Sequence, residues 1–292
     1  MLSTRSRRAR LAAVPVVLAL LAAAAVYAAL HQAALPPQAA GSGCEVRAGR
    51  QAFSLAASQA ALAATIAGVA QRRSLPGRAV TVAYAAALQE SKLQNLGYGD
   101  RDSVGIFQQR PSQGWGPARL LQDPVYATTK FFAALAAVPR YQALPVYQAA
   151  QAVQRSADGS AYDQYAAPAA VMAAAFTGRA AGGVWCWYGG AITGRPRLRA
   201  AAGQLLRTFG RQGISAADGR VLAVARPATR ADWAQAAWLV SHAPGYGIRA
   251  VRCAGLQWTA ARGAAGWTRL PARQGSTDRA AAKPPPGTVL VG

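Results

Sequence analysis

The amino-acid sequence predicts a mainly α protein: one N-terminal transmembrane helix, a helical domain, and a small α+β domain towards the C-terminal end. Three observations carry this. The run Leu11–Leu30, LAAVPVVLALLAAAAVYAAL, holds no charged residue, and twenty helical residues span roughly 30 Å, the depth of a bilayer core. Between positions 44 and 190, alanine-rich stretches carry larger apolar residues at helical spacing, separated by Gly- and Pro-containing breakers. Beyond position 216 the pattern shortens to strand-length apolar runs around a single helix.

Taken in order, residues 1–10 contain Arg5, Arg7, Arg8 and Arg10. Basic residues stay cytoplasmic, so all that follows residue 30 is expected outside the cell membrane as a single-pass protein. A cleaved signal peptide is the competing reading, and the length of the apolar run favours a retained anchor. Either way the chain is exported. Residues 31–43, HQAALPPQAAGSG, read as a spacer.

The segment 44–190 is expected to fold as one helical domain. Leu55, Leu62, Ile66 and Val69 mark a helix over 54–73, which SLPG breaks. A second helix over 77–93 turns Val80, Ala83, Tyr84, Ala87 and Leu88 inward. Residues 94–115 change to Gly, Asp, Asn and Gln, an irregular loop of the kind that carries function. Helices return at 124–137, 146–155 and 165–177. Residues 191–215 read as a basic connector helix with a solvated arginine face. Residues 216–270 read as β-α-β-β: a strand at 220–225, an amphipathic helix at 230–242 with Trp233, Ala237 and Val240 on one face, and strands at 248–253 and 256–259. The tail 271–292 is expected to be disordered.

Charge narrows the partners. There are 32 Lys+Arg against 10 Asp+Glu, a net charge of +22, which favours nucleic acid, anionic membrane or anionic cell wall. Export and the lack of interleaved aromatic and basic residues argue against nucleic acid. One apolar segment forms no translocation path, which argues against a transporter.

The cysteines are Cys44, Cys186 and Cys253, and an exported chain is free to form disulfides. Cys44 and Cys186 bracket the helical segment and are expected to pair, leaving Cys253 as a buried free thiol. No cysteine pair has zinc-ligand spacing and the only histidines are His31 and His242, so neither a metal nor another cofactor is expected. The same scarcity removes Ser-His-Asp and Cys-His chemistry, and no GxxxxGK phosphate loop is present.

Carboxylate chemistry remains. Glutamate occurs only at Glu45, read as an exposed residue of the spacer, and at Glu90. Glu90 ends an Ala/Val/Leu helix and opens onto the polar loop, a setting that raises the pKa of a general acid. A surface glutamate near Lys92 and Arg101 is the alternative on spacing alone.

The stretch AAALQESKLQNLGYGDRDSVGIFQQRPSQGWG resembles the active-site region of lytic transglycosylases and the wider lysozyme-like superfamily. That family has a Glu-Ser at a helix end followed, after a loop, by a Ser-x-Gly-Leu-Met-Gln element. Glu90-Ser91 is similar to the first and Ser103–Gln108 to the second, with Ile106 and Phe107 in place of Leu and Met. From Cys44 to Cys186, about half the chain, the sequence resembles exported lysozyme-like proteins of high-GC Gram-positive bacteria in ESKL, YGDRDS, FQQRPSQGWG, DPVYAT and VQRSA.

The resemblance implies a lysozyme-like helical domain that cleaves peptidoglycan, with Glu90 as general acid and base. It implies substrate-binding roles for Ser91, Tyr98, Ser103, Gly105, Gln108 and Gln109, with Trp115 as a further cleft residue or a core one. Asp100 and Asp102 are the available second carboxylates, and turn residues paired with Arg101 on the alternative reading. The family's Ala-Tyr-Asn element has no clear counterpart; within AAQAVQRSADGSAY the substitute is expected among Gln151, Gln154 and Ser156, with Gln154 and Arg155 preferred. The rival reading is a catalytically inactive wall-binding module on the same fold.

Overall fold

The computed structural model describes residues 41–155, 160–210, 214–217, 220–223, 229–270 and 290–291. The expected transmembrane segment 11–30 and Ser156 lie outside these. Among the described residues no helix is long and apolar enough to cross a membrane.

The protein is mainly α with two small antiparallel sheets. Two strands open it, β1 (Gly43–Ala48) and β2 (Gln51–Ala56), joined by a tight turn with Gly49 at φ 59°. Helices α1 (Ala57–Arg72) and α2 (Gly77–Ser91) follow. After the loop come α3 (Ala118–Leu121), α4 (Pro124–Ala136) and α5 (Val146–Gln154). A 3-10 helix over Ser160–Tyr165 leads into α6 (Ala166–Phe176), and β3 (Val184–Trp187) returns to pair with β1. The first sheet therefore runs β2-β1-β3.

Helix α2 is the centre of the domain. Every residue from Ala79 to Ala87 is buried, and its alanines let α1, α5 and α6 approach closely enough to pack against it. Tyr84 is the one large polar side chain there; its hydroxyl donates to the Ala63 carbonyl of α1 at 2.7 Å, and burial pushes its pKa well above the usual phenol value.

The strands were not expected, and they relocate Glu45. It sits on β1 rather than on a spacer, half-buried, where Oε2 accepts from Ser54 at 3.1 Å and Oε1 lies 3.6 Å from Arg47. Cys44 and Cys186 are opposite each other in the β1–β3 register and form a disulfide. Cys253 is free and buried, as expected, and burial followed by the Asp232 charge pushes its thiol up to about 12.

The basic segment forms α7 (Leu198–Phe209), whose Leu198, Ala201, Ala202, Leu205, Thr208 and Phe209 are buried. That face packs on α1, while Arg199 and Arg207 are exposed, the solvated arginine face that was expected. Gly68 makes the approach possible: a Cβ there would lie 2.6 Å from the Thr208 methyl. Arg207 pairs with Asp123, whose carboxylate also caps α4 by accepting from the Val125 N–H at 2.9 Å.

Helix α8 (Arg230–Ser241) departs from the amphipathic expectation. Asp232 to Ser241 are all buried, because α8 is wedged among α1, α6, β3 and the second sheet. Thr229 and Asp232 form a capping box that satisfies its first turn. A short α9 (Ala243–Tyr246) follows.

The second sheet has the order β4-β5-β9-β6-β7-β8, with β4 (Ile214–Ala217), β5 (Arg220–Ala223), β6 (Ala250–Cys253), β7 (Leu256–Thr259), β8 (Thr268–Arg269) and β9 (Leu290–Val291). Strands β5, β6 and β7 and helix α8 are the expected β-α-β-β set; β4, β8 and β9 are additional. Leu290–Val291 thus departs from the disorder expected of 271–292, whose remaining residues lie outside those described. The unit docks on the first sheet through indole N–H groups: Trp258 Nε1 donates to Cys186 O at 2.8 Å and Trp267 Nε1 to Val184 O at 2.7 Å.

Candidate active site

Glu90 occupies the last turn of α2. The helix stops immediately after it because Lys92 (φ 53°) and Leu93 (φ 57°) take left-handed conformations, and Leu93 N–H closes back on Ala87 O at 2.9 Å. Two successive non-glycine residues in that region each cost about 1–2 kcal/mol. Full burial of the Leu93 side chain helps offset this. Gln108 (φ 46°), Arg101 (φ 56°) and Arg155 (φ 53°) share the conformation, so the loop and the two helix ends around Glu90 and Gln154 concentrate such residues. Clusters of this kind accompany functional sites.

Glu90 is half-buried, and its Oε1 accepts a hydrogen bond from the Tyr162 hydroxyl at 2.6 Å. Tyr162 is itself fully buried on the 3-10 helix packed against α2 and α5. From the same 3-10 helix, Tyr165 receives the Lys92 ammonium: Nζ lies 2.6 Å from its hydroxyl and 4.9 Å from its ring centroid. The residues on both sides of Ser91 are thus each anchored by one tyrosine.

Ser91 does not face the solvent. It is buried; its Oγ lies 2.7 Å from Ile106 O and 3.1 Å from Ala87 O, and accepts from Gln94 N–H at 3.1 Å. It is a clasp between the end of α2 and the loop. The loop is built on two isolated β-bridges, Leu96 with Gly105 and Val104 with Gln109. Ile106 and Phe107 at its bend are buried, Phe107 stacking on Phe131 of α4 at 4.4 Å.

Several expected substrate contacts turn out to be structural. Gly105 has φ 79°, and a Cβ there would sit 2.5 Å from Leu121 O, so its glycine answers to the protein's backbone rather than to a sugar. Gln109 is buried, donating to Ala127 O at 3.3 Å with its own amide oxygen unpartnered among the described residues. Gln108 folds over Gly99 and donates to Gly105 O at 3.1 Å and Tyr98 O at 3.3 Å. Ser103 is buried. Tyr98 is 75% exposed, the loop's open aromatic face.

Of the two aspartates, Asp102 is occupied and Asp100 is not. Asp102 receives Arg110 Nε at 3.0 Å, Ser112 N–H at 2.7 Å and Ser112 Oγ at 3.0 Å. The Ser112 amide, foremost, and Arg110 hold its carboxyl down at about 2. Asp100 is exposed and only 3.9 Å from Arg101. The loop's turn chemistry accounts for Asp102.

Gln154 ends α5 and donates to Phe107 O at 2.7 Å, joining α5 to the loop. With Trp115, Val138 and Arg155 it lines an open groove of about 770 Å³. Trp115 is half-buried on the groove wall. Among the described residues no group of His, Cys, Asp and Glu is placed to hold a metal ion.

The residue missed from the sequence is Tyr162. It lies in Ala161-Tyr162-Asp163, one change from the Ala-Tyr-Asn element whose counterpart was sought further upstream; that triplet was the available signal. No protein-family model matches the chain, and no curated protein is significantly similar to it.

Proposed function

We propose that the protein cleaves the glycan strands of peptidoglycan outside the cell membrane, with Glu90 as the general acid and base. The observation that carries this is the Glu90–Tyr162 pair: a lone half-buried carboxylate at a locked helix end, held at 2.6 Å by a buried hydroxyl. A phenol both donates and accepts hydrogen bonds. It can therefore stay bonded while Glu90 gives up a proton and takes one back, as an acid–base cycle demands.

In the proposed reaction Glu90 protonates the oxygen between two amino sugars as its bond to the anomeric carbon breaks. The resulting carboxylate then removes a proton from a hydroxyl of the same sugar, whose oxygen closes on the anomeric carbon to leave an anhydro end. A water in place of that hydroxyl gives hydrolysis. Retaining and inverting hydrolases rely on a second free carboxylate. The engagement of Asp102 with Arg110 and Ser112 removes one of the two candidates for that role and leaves the exposed Asp100 as the other.

A muralytic assay on isolated peptidoglycan with wild type and Glu90→Gln tests the proposal. Rates are expected to fall roughly 10²–10⁴-fold, with products of the wild type lacking one water relative to hydrolysis. Equal rates in the two proteins would remove Glu90 from the reaction, and no cleavage by either would leave a wall-binding module.

A further inference from the structure

On α1, α7, α9 and the first residues of the loop, two hollows of about 770 and 710 Å³ share Ser58, Ala61, Gln204, His242 and Tyr246 and so form one groove. Its lining is distinct from that beside Gln154. No carboxylate lines it among the described residues. Its one cation, Arg197, is engaged, donating to Gly245 O and lying over the Tyr246 ring at 5.7 Å.

The groove nonetheless offers polar groups without partners. Gln94, Gln204 and Ser58 form no side-chain hydrogen bond among the described residues, and each is open to solvent in part. His242 stacks on Trp238 at 3.9 Å, and its Nδ1 lies 2.9 Å from Trp238 O. A carbonyl only accepts, so Nδ1 carries the hydrogen and Nε2 is left as an acceptor. Burial keeps the ring neutral at neutral pH, its pKa lowered to about 4. Amides, a hydroxyl and a neutral imidazole match an uncharged ligand rich in hydroxyl and amide groups. A charged ligand would find no free counter-charge.

We propose that this groove is a second binding site, for a neutral N-acetylated sugar chain. Gln94, Gln204 and Ser58 meet hydroxyl and acetamido groups, His242 Nε2 accepts from a hydroxyl, and Tyr246 borders the chain. The choice of an N-acetylated sugar rests on the proposed function; the groove itself does not involve Glu90.

The test labels the full chain at Ala200→Cys, an exposed rim position, with an environment-sensitive fluorophore and titrates it with chitotetraose. A saturable response is expected, weakened roughly tenfold by Gln204→Ala and by His242→Phe, the loss of one hydrogen bond each, and unchanged by Glu90→Gln. No saturable response, or equal affinity in Gln204→Ala, overturns the site. So does loss in Glu90→Gln, or a response to acetyl-trialanine amide in place of the sugar. Because the readout is binding at the rim, it is independent of whether Glu90 cleaves glycan. Should His242→Phe fail to fold, Gln204→Ala decides alone.

Discussion

The Tyr162 hydroxyl donates to Glu90 Oε1 at 2.6 Å across the seam between α2 and the 3-10 helix that precedes α6. A hydrogen bond to a charged group contributes about 1.5–3 kcal/mol. If the pair works as proposed, Tyr162→Phe lowers kcat roughly tenfold to a hundredfold with little change in KM. Steady-state muralytic kinetics check this; an unchanged kcat would mean that the bond serves packing alone.

Asp102→Asn tests whether Asp102 serves as a second carboxylate. Its carboxylate is bound by Arg110 and Ser112, so the variant is expected to keep its rate within roughly tenfold, against the 10²–10⁴-fold expected of a lost acid–base group. A loss as deep as that of Glu90→Gln would return the second-carboxylate mechanism.

Ser91→Ala removes the clasp between α2 and the loop. Ile106 O and Gln94 N–H lose their partner in a buried setting, at a cost of about 1–3 kcal/mol. Urea unfolding of wild type and variant measures it, and equal midpoints would contradict the assignment.

His242 makes stability pH-dependent. Its folded pKa, about 4, lies below the ordinary 6.5, so the unfolded chain binds more protons between those values. The stabilisation is full above about pH 6.5, declines as pH falls and is gone by about pH 4, a loss on the order of 3 kcal/mol. His242→Phe should flatten the melting temperature across that window. Below it, Asp102 adds a separate acid-side loss as pH falls from 3.8 through about 2.

The cysteines give a chemical check. Peptide mapping without reductant is expected to link Cys44 to Cys186, and Cys253 is expected to resist alkylation until the protein unfolds. Closing a loop of 142 residues is worth roughly 5 kcal/mol in the chain-entropy picture. Cys186→Ser should lower the melting temperature accordingly.

What the sequence revealed follows from where its signals are local. Helices α1, α2, α4, α5 and α6 lie within a few residues of their expected spans because Pro76, Pro124 and Pro145 punctuate apolar spacing along one segment. The first sheet was hidden because β1 and β3 lie 142 residues apart at their paired cysteines, and β1 alternates only through Cys44 and Val46. Helix α8 read as amphipathic because burying Asp232 and Gln235 depends on neighbours far along the chain. At the site, Glu90 was legible as a lone acid at a helix end. The inward roles of Ser91, Gln109 and Gly105 were not, because a polar residue or glycine in a loop looks alike whether it meets a ligand or the protein's own carbonyls.

The Cys44–Cys186 bond also sets how the protein bears tension. A pull between the residues before Cys44 and those after Cys186 passes from β1 to β3 through a covalent bond and skips everything between. Helix α2, the loop and the Glu90–Tyr162 contact all lie on the bypassed arc. Under oxidising conditions the chain can be loaded along its length while the arc carrying Glu90 stays slack; reduction would put that arc in series with the load.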